Sequence, residues 1–560
     1  MSNGTMGMLW KGLWESHDRT KQLLTFSQLR TADKEGEKKA ADQNKALASN
    51  GSPNGGDDGG GGGPKQAYSK GQLIGLILGP VLFIMTMLFF TPDGLSYEAR
   101  GVLASTLWIA TWWISEAIPI PATSLLPIIL LPVLGALDSD TVVSSYGDNI
   151  IFLFLGGFFI ATAMEKWNLH QRMALGIIHM IGTSTNRIIL GFMVATGFLS
   201  MWVSNTASVM MMIPIGLAIV YQVSESMKGE EQQGELKKFE KAIIFGVGYG
   251  GTLGGLGTLI GTPPNIILAG QVNQLFGIEI SFLDWMMFGA PIVFILIFAV
   301  WFYLTRMVYP IKLKSLPGGR ELIQSEREAL GTIRYEEKAV LAVFLFAAFM
   351  WITRTFIWEE FLPIPGLNDG MIAVTATVLL FLIPASKGHG TKILEWEDSK
   401  NIPWGILLLF GGGLAIAAGF SETGLSNWIG DQLTILEGIN FMLIILVSTT
   451  LVMFLTEITS NTATGTMILP VVASLAVALN VHPYALMVPC AMAANNAFML
   501  PVGTPPNAII FGTGKLKIIE MVRNGFWLNI VSIILIVVAV TFWLPILWGV
   551  DLTILPDALK

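Results

Sequence analysis

The chain has 560 residues, of which 52% are hydrophobic and 13% charged, with a net charge of -7 and a single cysteine. Apolar stretches of bilayer-crossing length recur from residue 71 almost to the C-terminus, more than a soluble core of this size would hold, so the chain is expected to be a polytopic, all-α membrane protein. One cysteine, Cys490, allows no disulfide framework or thiolate centre, and His17, His170, His179, His389 and His482 are too scattered for zinc. In such a chain charges collect in loops and form no field for a ligand, and nucleic acid is not expected as a partner.

Residues 1–71 are expected to be a disordered cytoplasmic tail. Residues 50–63 are almost entirely Gly, Asn, Asp, Ser and Pro, and the stretch before them is rich in Lys and Glu, so too little apolar surface is available to fold. The tail has no apolar core with a cleavage site and is not expected to be a signal peptide. Asn3-Gly4-Thr5 matches a glycosylation sequon that a cytoplasmic tail would never present, and Gly512-Thr513-Gly514-Lys515 lacks the spacing of a phosphate loop.

Eleven crossings follow in chain order, at about 72–90, 101–117, 120–137, 149–165, 242–275, 286–305, 339–357, 370–385, 403–420, 483–514 and 524–548. The first half is read as 72–308, a cytoplasmic linker as 309–338 and the second half as 339–560. Loop lysines and arginines, among them Lys70, Lys166, Arg172, Arg187, Lys241, Lys312, Lys392 and Lys515, share one side only if the N-terminus is cytoplasmic and the C-terminus outside. Two stretches remain. Residues 188–221 would measure roughly 50 Å as one helix, too long for a single crossing of a core about 30 Å thick. Arg187 precedes the stretch and Lys237, Lys238 and Lys241 follow it, so it reads as a re-entrant hairpin entered from the cytoplasm. Residues 439–479 behave alike, but their flanks carry Asp431 and Glu437 and no basic residue, which places that hairpin on the outer side.

The halves repeat. Gly156-Gly157 and Gly412-Gly413, Ser200 and Thr456, Ser204 and Ser460, and Pro214 and Pro470 all match at an offset of 256 residues. Ser-Asn-Thr stands at 204–206 and again at 460–462, near each hairpin's turning point, and Gly-Thr-Pro-Pro-Asn stands at 261–265 and 503–507, where the offset is 242. Opposite flanking charge implies an inverted-topology repeat, whose pseudo-twofold axis would bring both motif sets to the midplane. Polar groups and helix breakers at bilayer depth are costly unless they line a cavity or bind something, so two matched sets point to one composite site in a transporter.

The residue types suit an anion bound together with cations. A helical arm beginning at Ser-Asn-Thr offers unpaired N–H groups, capping side chains and the positive end of a helix dipole, and two such tips suit two carboxylates. The broken helices 242–275 and 483–514 add backbone carbonyls, which with hydroxyl and amide oxygens are hard ligands for Na+. Neither hairpin nor 242–275 contains Lys, Arg or His, so bound cations must balance a dianion, which is a physical basis for coupling. Glu457 is the sole acid in either hairpin and could serve a proton or a cation, but the first repeat has Met201 at the matching place, so it and Glu116 are read as structural. A cation/proton antiporter would want an acid in 242–275, which has none, and a membrane enzyme would want a nucleophile with its base or a metal cluster.

With Trp112-Trp113-Ile114-Ser115-Glu116-Ala117-Ile118-Pro119, Leu155-Gly156-Gly157 and Gly411-Gly412-Gly413, these motifs resemble the divalent anion:sodium symporter family, also called the INDY family, over about 72–560. The wording is most similar to its bacterial sodium-dependent dicarboxylate symporters. The resemblance implies a non-enzymatic, multi-pass protein of the cell membrane, a homodimer in the lipid bilayer whose transport domain moves as an elevator. It implies import of C4 dicarboxylates such as succinate, fumarate and malate with sodium. Citrate, 2-oxoglutarate or sulfate as substrate, or dicarboxylate exchange, stay open. By motif, Ser204, Asn205, Thr206, Ser460, Asn461, Thr462, Thr504 and Pro505 would contact the carboxylates. One sodium would use Ser200, Ser204, Asn205 and Gly261, and the second Thr456, Thr459, Asn461 and Gly503.

Overall fold

A computed structural model describes residues 68–559, apart from 183, 227–229, 313–318, 361–363, 365, 387–391 and 434–438. Nearly all of the expected tail lies outside the described residues. The rest is helical, and no β-strand forms among the described residues. In chain order the helices are α1 (Lys70–Phe89), α2 (Tyr97–Ser115), α3 (Ile120–Thr123), α4 (Leu126–Val133), α5 (Ser139–Ser145), α6 (Asn149–Lys166), α7 (Leu169–Ile181), α8 (Thr185–Ser200), α9 (Asn205–Ser226), α10 (Glu230–Gly254), α11 (Pro263–Phe276) and α12 (Phe282–Phe302). The second half continues with α13 (Gly319–Ala329), α14 (Tyr335–Thr353), α15 (Asp369–Leu382), α16 (Trp404–Glu422), α17 (Leu425–Leu433), α18 (Phe441–Thr456), α19 (Asn461–Ala478), α20 (Tyr484–Asn495), α21 (Pro505–Gly512), α22 (Ile518–Val538) and α23 (Leu544–Trp548). Among the described residues, eight helical stretches are long and apolar enough to cross a membrane, including Phe282–Val308 and Ile518–Trp548.

Local chemistry sets the boundaries. Ser69 starts α1 with a capping box, its hydroxyl accepting the Gln72 main-chain N–H while Gln72 Oε1 accepts the Ser69 N–H. The helix then leaves Ile74, Ile77 and Leu88 exposed, the side chains of a helix built to face lipid. The stretch 120–137, expected as one crossing, is instead broken into α3 and α4, with Pro127 in the first turn of α4 unable to continue the hydrogen-bond ladder from α3. Eight residues of α4 rise only about 12 Å, too little to span the core alone.

The repeat extends beyond the motifs seen in the sequence. Helix α12 is followed by a π-helical turn at Tyr303–Val308 and α22 by one at Ala539–Trp543. Each of these helices carries an acid three residues after its N-cap, Asp284 and Glu520, which accepts the N-cap main-chain N–H of Ser281 and Lys517. Both pairs stand 236 residues apart, so the second copy has lost six more residues after the Gly-Thr-Pro-Pro-Asn string. The halves also interlock: α11 packs on α19 and α20, while α21 packs on α9 and α10. That exchange is what a pseudo-twofold relation between the repeats requires.

Close helix contact is made by small residues. Gly246, Gly250 and Gly254 recur every four residues on α10 and turn one bare face to α8. A Cβ on Gly254 would lie 2.1 Å from the Gly197 carbonyl oxygen, so that crossing tolerates no side chain. The flagged glycine pairs pack likewise: a Cβ on Gly156 would meet the Ala373 backbone of α15 at 2.6 Å, and one on Gly412 the Ser124 carbonyl oxygen at 2.6 Å.

Candidate binding site at the two hairpin tips

The expected hairpins are α8 with α9 and α18 with α19, and each turn falls where Ser-Asn-Thr stands. In the first, α8 ends at Ser200, residues 201–204 form the turn, and Ser204, exposed, caps α9 by accepting the Ala207 N–H at 3.2 Å. In the second, Ser460 precedes α19 in an extended conformation and its hydroxyl makes no cap bond. Thr206 and Thr462, both half-buried, occupy the first turns of α9 and α19.

The last hydroxyl of each first arm sits between two acceptors. Ser200 Oγ lies 2.5 Å from Asn205 Oδ1 and 2.6 Å from the Gly251 carbonyl oxygen. Thr456 Oγ1 lies 2.7 Å from Asn461 Oδ1 and 2.7 Å from the Ala494 carbonyl oxygen. One hydroxyl proton serves two acceptors, so each cradle holds more lone pairs than protons, the donor set a hard cation wants. The two cradles are the same construction made twice: their hydroxyl and asparagine members stand at the 256-residue offset visible in the sequence, and their carbonyl acceptors 243 residues apart.

The Gly-Thr-Pro-Pro-Asn strings end the breaks in the second pair of helices. Prolines at the start of α11 and α21 need no partner for the N–H they lack. The terminal asparagine of each string fastens its break: Asn265 Nδ2 donates to the Gly255 and Thr258 carbonyls at 3.0 and 2.8 Å, and Asn507 Nδ2 to those of Ala497 and Leu500 at 2.9 and 3.0 Å. Both asparagines are fully buried, and their Oδ1 atoms have no hydrogen-bond partner. Sequence reasoning assigned these two residues no role, although their matched positions were in view. The loop carbonyls expected to be free are thus partly engaged by the motif's own asparagine.

The glycines of the two strings differ in placement. A Cβ on Gly261 would fall 2.5 Å from the Gly255 carbonyl oxygen, within its own broken helix, whereas one on Gly503 would meet the Glu457 carbonyl oxygen at 3.1 Å, at the turn of the second hairpin. Thr459, buried, donates to the Leu455 carbonyl at 2.8 Å and shares a 2.6 Å hydrogen bond with Thr464. Thr504 caps α21 by accepting the Asn507 N–H, and Pro505 beside it is exposed. Its counterpart Thr262 makes no cap and instead donates to Asn495 Oδ1 at 2.6 Å.

Glu457 is satisfied within the fold. Its carboxylate accepts the main-chain N–H groups of Phe498, Met499 and Leu500 and the Asn529 amide at 2.8 Å, which ties the second hairpin's turn to the break after α20. The structural reading of this acid therefore holds. At the matching place Thr258 Oγ1 donates to the Met201 carbonyl at 2.5 Å, a neutral tie doing the same job. Among the described residues no group of His, Cys, Asp and Glu could hold a metal ion, and Cys490 is buried.

The chain matches the family model described as the sodium:sulfate symporter transmembrane region over residues 70–550. It is 58% identical over 489 residues to the sodium-dependent dicarboxylate transporter SdcS of Staphylococcus saprophyticus, covering 87% of this chain and 94% of that protein. SdcS of Staphylococcus aureus strain USA300 is 56% identical with the same coverage. The fold is similar to that of the YdaH transporter of Alcanivorax borkumensis, with a TM-score of 0.52 at 12% identity over 81% of this chain and 99% of that one. A family match running through both cradles and both broken helices means that this multi-pass membrane protein belongs to the sodium:sulfate symporter family, the divalent anion:sodium symporters.

Proposed function

We propose that the chain is a secondary transporter that carries C4 dicarboxylates such as succinate, fumarate and malate into the cell together with sodium. The observation that carries the reading is the pair of proton-poor oxygen cradles, each at the start of a helix whose N-terminus favours an anion. Sodium would be held by Ser200, Ser204, Asn205 and Gly261 on one side and by Thr456, Thr459, Asn461 and Gly503 on the other. Ser204, Asn205, Thr206, Ser460, Asn461, Thr462, Thr504 and Pro505 would receive the carboxylates. With no fixed cation in these hairpins, the dianion binds well only beside bound sodium, which ties the two fluxes together. The names of the SdcS relatives agree with this substrate class.

The chain is further proposed to work as a homodimer and an elevator, with its N-terminus in the cytoplasm and its C-terminus outside. Ion pairs support the grouping of residues by face, though the loop lysines and arginines alone carry which face is which: Lys166 with Asp398, Arg172 with Glu337, Lys241 with Glu520 and Lys515 with Glu240 join residues proposed for the cytoplasmic face, and Arg354 joins Glu279, Glu359 and Asp369 on the proposed outer one. Uptake of labelled succinate into proteoliposomes tests the function. Accumulation is expected with an inward sodium gradient and not with potassium or choline; equal uptake in all three refutes it.

A further inference from the structure

Asn495 stands at the C-terminal end of α20, fully buried, and its three polar groups reach three different parts of the fold. Its Oδ1 accepts from Thr262 Oγ1 in the first Gly-Thr-Pro-Pro-Asn string at 2.6 Å. Its Nδ2 donates to the Thr252 carbonyl of α10 at 2.9 Å. Its own carbonyl accepts from Asn461 Nδ2 of the second hairpin at 3.0 Å. The Thr252 carbonyl is the next along the chain after that of Gly251, which completes the first cradle, and Asn495 directly follows Ala494, which completes the second. Thr262 directly follows Gly261.

The connection has no twin. At the offset relating the two carbonyl acceptors, 243 residues, the place of Asn495 is taken by Thr252, whose hydroxyl is buried and unpartnered. A symmetric pair of contacts would serve packing in both halves alike, whereas one asymmetric residue lies between the two cradles. We propose that Asn495 is a positioning residue that couples the two sodium sites, so that filling either cradle sets the carbonyl of the other. Sodium held by Thr456 and Asn461 fixes the two side chains that donate to the Ala494 and Asn495 carbonyls, and the Asn495 side chain passes that constraint to Thr252 and Thr262 beside the first cradle. Buried hydrogen bonds suit this role, because displacing one partner leaves the others unsatisfied. The inference rests on the sodium-coupled reading above.

The test compares the sodium dependence of labelled succinate binding to the purified full-length protein with that of Asn495→Ala, Thr262→Val and Thr262→Ser. Thr262→Val is nearly isosteric and removes only the hydroxyl donor, so it keeps the experiment decisive should Asn495→Ala fail to fold. The unmodified protein is expected to give a sigmoidal sodium curve with a Hill coefficient near two. Asn495→Ala and Thr262→Val are expected to lower the coefficient toward one and to raise the half-saturating sodium concentration several-fold. Thr262→Ser should restore the steep curve, and the double variant should be no shallower than either single one. An unchanged coefficient in Thr262→Val overturns the coupling role, as does a coefficient of one in the unmodified protein. Succinate binding indifferent to sodium would instead refute the sodium-coupled reading itself.

Discussion

Replacing Asn461 with Ala tests the second cradle most directly. The amide makes two contacts: its Oδ1 accepts from Thr456 at 2.7 Å and its Nδ2 donates to the Asn495 carbonyl at 3.0 Å. Thr456 keeps the Ala494 carbonyl as an acceptor after truncation, so its hydroxyl is not orphaned. The Asn495 carbonyl, in a residue with no exposed surface, loses this donor. Leaving one buried group unsatisfied costs about 1 to 3 kcal/mol, which corresponds to roughly a fivefold to 150-fold loss of affinity if it falls on the bound state. Because the same amide offers an oxygen to sodium, the loss should be shared. At fixed sub-saturating sodium succinate should bind that much more weakly, and at fixed succinate the sodium midpoint should rise. The assay is a pair of binding titrations, succinate at several sodium concentrations and the reverse, with Ser474→Ala as control. Ser474 lies on the same helix and donates only to the Pro470 carbonyl at 3.0 Å, so its loss should change either midpoint less than twofold. Asn461→Ala binding both ligands as the unmodified protein does would refute the cradle assignment. A succinate midpoint that shifts while sodium binding stays fixed would violate the reciprocity that coupling demands.

Glu457→Gln should destabilise the protein and lower its melting temperature in detergent, because a neutral amide presents N–H groups to the Phe498, Met499 and Leu500 donors that the carboxylate now accepts; an unchanged melting temperature would show that this tie contributes little. Gly254→Ala sets a Cβ 2.1 Å from the Gly197 carbonyl oxygen and should force α8 away from α10, with transport falling at least tenfold while Gly176→Ala, where a Cβ meets nothing within 4 Å, leaves it unchanged. Cysteines placed at Arg187 and Gln222, both exposed, should label from the same face of sealed vesicles if α8 and α9 form a re-entrant hairpin; labelling from opposite faces would mean that this stretch crosses the membrane.

Class and repeat were legible in the sequence because both depend on periodicity and residue type. Apolar length alone excludes a soluble fold, and Ser200, Ser204 and Pro214 recur as Thr456, Ser460 and Pro470 at one offset. The hairpin turns follow from the same patterns, since polar, helix-breaking residues in a long apolar stretch must leave the helix there. Tertiary structure alone decided what the side chains meet. The break at 120–137 falls at Pro127 and not at Pro132, which α4 accommodates, and length counts the run whole. Asn265 and Asn507 were visible as matched letters, yet their task of fastening carbonyls seven and ten residues back is a matter of chain path. Asn495 shows the limit most plainly. It has no partner in the repeat pattern to draw attention to it, and its bonds to Thr252, Thr262 and Asn461 join residues 243, 233 and 34 positions away, which only the packing of the two broken helices brings within hydrogen-bond reach.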